Sequence, residues 1–479
     1  MQLERLAAQN PWWQDAGFIR EDRHLQEFER SPIHWQPHVV NELTLEPGLI
    51  YTLRGPRQVG KTTLLKRLIA SCLAGEQPGL EAPRSLLYLD CELAGITKPR
   101  ELVDAITAYL AWSRALRPST ERHVLFLDEV TYIHDWAIGL KGLVDLGQLA
   151  GATVIATGSH AVDLKRGGER MPGRRGAKAG LDKQLLPMSF REYVETRRPE
   201  LAAQFPKVAD LDPQSLRKVA RALIPLGEEL RGLFERYLLS GGFPRPAAAE
   251  VADGWIPAYI YEIYRDAVLG DVSKLGRRES YFRELVSWIT HRLGDPFGWR
   301  DVARETEIGK HDTVREYIED LELAFLWNVV YRVKTLGAPA AALRSAKKVY
   351  FNDPFIFHTL QAWSWGLLDP WVESVRALAD PQKRSKFVEA VVASHLRRFH
   401  SNFVYYFRNR REIDFVVYRE GKLTALIEVK YQDRIFPEDW RPLARSGGGL
   451  LLSRSTLDLP EDGIVVIPVA YALALLASG

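Results

Sequence analysis

The sequence predicts an α/β fold built from several domains, and three observations carry that prediction. The first is a glycine-rich loop, Gly55-Pro-Arg-Gln-Val-Gly60-Lys61-Thr62-Thr63, set between an apolar strand and a helical pattern. The second is an apolar strand from His123 that ends in Asp128-Glu129. The third is a hairpin signal near the C-terminus, two alternating runs that flank Glu420-Gly421-Lys422. Strands alternating with helices through the first third predict a parallel sheet covered on both faces.

Bulk properties bound the rest. A chain of 479 residues has room for about three domains, each with its own core. An apolar fraction of 46% and a charged fraction of 26% are those of a soluble globular protein. A net charge of +3 does not by itself announce nucleic-acid binding, so local patches must carry any such case. Cys72 and Cys91 are the only cysteines, which excludes a disulfide scaffold and a cysteine-based zinc site. No signal-type apolar run opens the sequence, and the apolar tail from Ile464 is short and broken by Pro468. A cytoplasmic protein without a membrane segment is expected.

Taken in order, an N-terminal segment spans 1–46. Leu49 to Leu53 then reads as a strand and Thr63 to Ala70 as a helix, so the loop sits in the right context for G-x4-G-K-[ST]. Its backbone N–H groups wrap phosphates and the helix N-terminus faces the anion. Gly55, Gln58, Val59, Gly60, Lys61, Thr62 and Thr63 are the expected nucleotide contacts. Lys61 supplies a point charge, and Thr62 offers its hydroxyl to Mg²⁺. Asp128 is expected to hold Mg²⁺ through water, and Glu129 to orient and deprotonate the attacking water of ATP hydrolysis. A third strand, Ala152 to Thr157, ends in small hydroxyl residues. Thr157 or Ser159 is placed to sense the γ-phosphate, although hydroxyls also cap strand ends for local reasons.

With Asn10-Pro-Trp-Trp13, Phe126-Leu-Asp-Glu129, Thr157-Gly-Ser159, Leu186-Pro-Met-Ser-Phe-Arg-Glu192 and Ser240-Gly-Gly-Phe-Pro244, the loop resembles a large group of bacterial and archaeal AAA-type ATPases. The resemblance implies an ATPase core over 47–195 and a helical lid over 196–275, in which Pro244 of Gly242-Phe243-Pro244 lies against the nucleotide base. It also implies a homo-oligomer whose neighbours complete each other's sites. A basic stretch, Leu164 to Lys183, is longer than the pattern leads one to expect. Arg174 and Arg175 within it are both arginine-finger candidates, and nothing in the sequence chooses between them.

The pattern over 276–352 is helix (Tyr281 to Leu293), short helix (Trp299 to Glu305), turn at Gly309, helix (His311 to Ala324) and two strands (Leu326 to Val333, Lys347 to Phe351). That order describes a winged helix. Its second helix carries Asp312, Glu316, Glu319, Asp320 and Glu322 against Arg315, a poor balance for reading DNA. A spacer or docking role suits it better.

In 353–479, pairing centred on Gly421 places Asp414 opposite Glu428, with Lys430 on the same face. The other face, Ile413, Phe415, Val417, Leu423, Ala425, Ile427 and Val429, is expected to be core and to fix the register. Opposed carboxylates repel, and a divalent cation offsets that cost. Oxygen ligands suit Mg²⁺ or Mn²⁺, and Lys430 would position or activate a water. Asp…Glu-x-Lys across a hairpin resembles the restriction-endonuclease-like fold, which implies a further acid from an upstream helix, here Glu389. The implied metal ligands are Glu389, Asp414 and Glu428, and the implied catalytic group is Asp414, Glu428 and Lys430. Arg397, Arg398, His400, Arg408, Arg410 and Arg411 crowd the region and would hold phosphodiester. The fold also persists in proteins that do not cleave. The expected function is an ATP-hydrolysing protein acting on DNA through a nuclease-like domain. A nucleotide-switched regulator, or a DNA remodeller that does not cut, competes with it.

Overall fold

An unbroken apolar strand must be buried on both faces, and a parallel sheet sandwiched by helices provides that. The computed structural model describes residues 3–116, 122–400, 403–409, 411–460 and 463–476. The chain divides into two units, Met1–Leu186 and Pro187–Gly479. In the first, β1 (Ile50–Arg54), β2 (Leu86–Asp90), β3 (His123–Asp128), β4 (Ala152–Thr157) and β5 (Asp182–Gln184) pair in parallel in the order β2-β3-β4-β1-β5. Every residue of β1, β3 and β4 is buried. The helices Lys61–Leu73, Pro99–Leu116, Trp136–Asp145 and Ala161–Glu169 alternate with these strands.

β2 lies at an edge, where alternate backbone groups lack a strand partner. Side chains of the N-terminal segment supply the partners. Trp13 Nε1 donates to Leu86 O at 2.8 Å, and Asn10 Nδ2 donates to Tyr88 O at 2.8 Å. Asn10 Oδ1 accepts from Tyr88 N at 2.6 Å, and Gln9 Oε1 accepts from Asp90 N at 2.8 Å. The contacted residues fall at every second position, the period of a strand. Asn10-Pro-Trp-Trp13 is therefore an edge cover.

The long basic stretch proves to be the end of the helix Ala161–Glu169, a connection and β5. Arg175 Nε donates to Ile50 O at 3.0 Å and its guanidinium pairs with Asp182 at 3.0 Å, while Arg174 pairs with Asp145 at 2.7 Å. Both finger candidates are engaged inside their own fold.

The second unit combines helices with an eight-stranded mixed sheet. Its strands are β6 (Trp327–Thr335), β7 (Ala338–Ala341), β8 (Lys347–Phe351), β9 (Val404–Arg408), β10 (Glu412–Arg419), β11 (Lys422–Val429), β12 (Gly449–Ser453) and β13 (Ile464–Pro468). The order is β13-β12-β11-β10-β9-β6-β7, with β8 paired to β6. Helices Glu279–His291, Trp299–Glu305 and His311–Leu323 precede β6 in the expected succession. The hairpin that follows does not stand alone, because β6 also pairs in parallel with β9. Strands read from the sequence as two separate domains thus share one sheet.

The pairs Phe415↔Ile427, Val416↔Leu426 and Val417↔Ala425 carry the expected register of the β10–β11 hairpin. A bulge after Val417 shifts the pairing by one residue toward the turn, to Tyr418↔Leu423. Leu423, expected in the core, is 40% exposed as a result. Among the described residues no helix is long and apolar enough to cross a membrane.

Candidate functional site

The loop between β1 and the helix Lys61–Leu73 depends on glycine at its base. A Cβ on Gly55 would stand 2.1 Å from Leu185 O, so a side chain there would block the strand from turning. Gln58 and Gly60 take left-handed conformations, φ 62° and 101°, and turns of this kind form anion-binding nests. Val59 is buried between them, and Lys61, Thr62 and Thr63 open the helix. Lys61 Nζ donates to Gly55 O and Pro56 O, both at 3.0 Å.

At the end of β3, Asp128 is held by neutral donors. Its Oδ2 accepts from Thr62 Oγ1 at 2.7 Å and from the Tyr88 hydroxyl at 3.0 Å. Its Oδ1 accepts from Thr157 Oγ1 at 2.7 Å and from Glu129 N at 3.1 Å. Glu129 sits at φ 49° and its Oε2 accepts from Ser159 N at 2.8 Å. Thr62, Asp128, Glu129, Thr157 and Ser159 thus join one hydrogen-bonded set that links the loop to the ends of β3 and β4. The hydroxyl and amide groups near the expected sensor are both in use, Thr157 on Asp128 and Ser159 on Glu129.

Tyr88 and Asp90 escaped the sequence reading. The Tyr88 ring lies under Lys66 Nζ at 3.5 Å, and Lys66 pairs with Asp22 at 3.2 Å. Asp90 stands opposite Asp128 in the β2–β3 register. Burial, joined by Asp128 and Glu129, raises its carboxyl against the pull of the Leu93 N–H. The only signal in the sequence was their place at the end of a strand parallel to β3.

Pro244 begins the helix Pro244–Asp253 of the second unit. The glycines before it have a local role. A Cβ on Gly242 would stand 2.1 Å from Met188 O, and Gly242 N donates to Asp353 Oδ2 at 2.8 Å. Burial raises the Asp353 carboxyl to about 6, against three backbone N–H donors at Gly242, Phe355 and Ile356.

The C-terminal acids are buried rather than solvated, with Asp414 8% and Glu428 7% exposed. Asp414 Oδ2 accepts from Val429 N at 2.9 Å, and Lys430 Nζ lies 2.9 Å from Glu428 Oε1. Glu389, on the helix Pro381–His400, accepts from Lys348 Nζ at 2.8 Å and from the Tyr350 hydroxyl at 2.5 Å through one oxygen. The same Lys348 Nζ is 2.7 Å from Glu412 Oε1 and 3.7 Å from Asp414 Oδ1. Burial, then Glu389 and Glu428, push the Asp414 carboxyl well above the usual range, against Lys348 and the Val429 N–H. Burial also raises Glu428, against Lys430. Lys348 is lowered by burial, yet Tyr350, Glu389, Asp414 and Glu412 hold it well above the ordinary lysine value.

Among the described residues no group of three or more His, Cys, Asp or Glu is arranged to hold a metal ion. The expected ligand set Glu389, Asp414 and Glu428 therefore does not assemble as such. Lys348, delivered by β8, a strand the sequence reading had placed in another domain, lies among Glu389, Glu412 and Asp414. The arginines expected to hold phosphodiester also divide. Arg397 pairs with Glu322 and Arg398 with Glu192, each at 2.9 Å, and His400 is buried. Arg408 and Arg411 are exposed, and Arg410 lies outside the described residues.

Residues 48–194 match the family described as an AAA domain. Residues 231–366 and 384–472 match two domains of unknown function, DUF8612 and DUF4143. An uncharacterized protein of Methanocaldococcus jannaschii is 25% identical over 316 residues, 63% of this chain and 60% of that relative. Among solved structures, a Walker-type ATPase of Pyrococcus abyssi superposes with a TM-score of 0.39 at 15% identity, over 65% of this chain and 91% of its own. The Aeropyrum pernix ORC1 protein, solved in complex with DNA, gives 0.31 at 14% identity, over 76% and 97%. The family match and the parallel sheet agree on one stretch: the first unit contains an AAA-type, P-loop ATPase-like domain.

Proposed function

We propose that the first unit binds and hydrolyses Mg-ATP. The observation that supports this most is the hydrogen-bonded set Thr62–Asp128–Thr157 with Glu129–Ser159, beside a loop that only glycine permits at Gly55. The residues fit Mg²⁺, since Thr62 offers a hydroxyl and Asp128 a buried carboxylate held by hydroxyl and amide donors. Once bound, Mg²⁺ neutralises charge on the β- and γ-phosphates. Lys61, now on the carbonyls of Gly55 and Pro56, would supply its charge to phosphate oxygen, and the loop N–H groups would hold the anion. Thr62 would offer its hydroxyl to the cation, while Tyr88 and Thr157 would hold the Asp128 carboxylate in place. Glu129, anchored by Ser159 N, orients water and takes its proton.

The test is phosphate release from ATP and Mg²⁺ by the full chain. Loss of turnover in Lys61→Ala is expected, and no turnover in the native chain, with or without nucleic acid, would end the proposal.

For the second unit we propose DNA as partner, held without cutting. The exposed Arg408 and Arg411 beside β10 support contact with phosphates. Cutting finds no comparable support, because Lys348 lies among the acids that a metal would need. Stimulation of ATP turnover by duplex, single-stranded or branched DNA, surviving Glu428→Ala, is the expected result. Turnover indifferent to every DNA would remove DNA from the proposal and leave the ATPase standing.

A further inference from the structure

We propose that Lys348 is the resident cation of the acid cluster in the second unit, and that this cluster holds no divalent metal in the native chain. The inference rests on the geometry of this cluster alone and is independent of ATP hydrolysis in the first unit.

The ammonium is enclosed. Lys348 is 1% exposed and lies 2.8 Å from Glu389, 2.7 Å from Glu412 and 3.7 Å from Asp414. These acids come from two elements, the helix Pro381–His400 and β10, so the lysine ties β8 to both. The Tyr350 hydroxyl, two residues along the same strand, donates to the Glu389 oxygen that Lys348 also holds. Lysine and tyrosine at alternate positions of one strand point to the same face. Together they hold one oxygen of the helix acid, and the ammonium already balances its charge.

Two further carboxylate oxygens of the cluster are committed. Asp414 Oδ2 takes the Val429 N–H, and Glu428 Oε1 takes Lys430. Glu428 Oε2 is buried without a hydrogen-bond partner, but one such oxygen makes no coordination shell. Mg²⁺ needs near-octahedral oxygens at about 2.0–2.1 Å, and Mn²⁺ prefers a similar octahedral oxygen shell. A dication bound to Asp414 would also face an ammonium 3.7 Å from the same group. Hydroxyl donors can rotate away from an arriving cation. A buried ammonium cannot, and leaving would strand Glu389 and Glu412 without their charge partner.

Mn²⁺ itself is the probe. In the full chain carrying Asp128→Asn, so that the first unit's acid does not contribute, Mn²⁺ is titrated without nucleotide and followed by water-proton relaxation. No bound ion sensitive to Glu428→Gln is expected up to about 1 mM, a concentration that fills even weak carboxylate sites. Lys348→Met in the same background removes the charge at nearly constant length. It is expected to admit one Mn²⁺ at least about 10-fold more tightly, the scale on which neighbours of a metal ligand act. Lys348→Arg should still refuse it.

A stoichiometric Mn²⁺ in the Lys348 chain that disappears in Glu428→Gln would overturn the proposal. Mn²⁺- or Mg²⁺-dependent cutting of DNA that disappears in Asp414→Ala would do the same, as would a folded Lys348→Met chain that still refuses Mn²⁺. If Lys348→Met does not fold, the titration of the Lys348 chain decides alone.

Discussion

Both units gather carboxylates at the end of strands, yet they satisfy them in opposite ways. Asp128 is surrounded by neutral donors, the hydroxyls of Thr62, Tyr88 and Thr157 and the Glu129 N–H. Glu389 and Glu412 pair with a buried lysine instead, and Asp414 lies 3.7 Å from it. Neutral donors orient a carboxylate and leave its charge in place, so an arriving cation finds both geometry and attraction. An internal ammonium cancels that charge in advance. If Mg²⁺ binds at Asp128 and not among the acids of the second unit, the partner of the acid, not the acid, makes the difference.

Four substitutions would break or sharpen this contrast. The largest effect is expected at Lys348. Replacing it by Met leaves buried acids without their partner, a loss of about 3–5 kcal/mol read by denaturant unfolding. A change near zero would mean that the ammonium balances nothing. Next comes Glu129→Gln, which should slow ATP turnover about 10²–10³-fold while nucleotide binding persists. An equal loss of binding would move Glu129 from the chemistry to the architecture of the site.

Tyr88→Phe removes one hydroxyl and keeps the ring beneath Lys66. The Mg²⁺ concentration for half-maximal turnover should rise about 10-fold, with ATP affinity in EDTA unchanged. The smallest effect is expected from Asp414→Asn, and its sign is informative. The folded Asp414 carboxyl is raised well above the usual range by burial, Glu389 and Glu428, so the folded chain keeps a proton that the unfolded chain gives up. Stability therefore falls as pH rises past the ordinary carboxylate range, and Asn removes that loss. Thermal melts should show the variant at least as stable as the native chain near pH 8, with the difference closing near pH 4. A variant much less stable at pH 8 would show an ionised Asp414 stabilised by Lys348.

The register of β10 and β11 was legible because alternation leaves one choice, and Phe415↔Ile427 carries it. The bulge after Val417 was not, since it adds no residue type that a pattern would flag. The loop at Gly55 and the acids Asp128 and Glu129 were legible because phosphate chemistry demands those residues at those spacings. Tyr88, by contrast, reads as one more apolar position of a buried strand, and only its pairing beside β3 brings the hydroxyl to Asp128.

By itself, then, the sequence determined what local chemistry and period can encode: the phosphate loop, the acid-ended strand, the helix–helix–hairpin succession and the Asp414–Glu428 face. Tertiary structure alone decided which charges meet. Lys348 is 66 residues from Asp414 along the chain and was assigned to a different domain, yet β6 joins both hairpins into one sheet and the helix Pro381–His400 brings Glu389 against it. Ion pairing in a buried site depends on distances of a few ångströms, and no one-dimensional spacing carries that information when the partners arrive on separate strands.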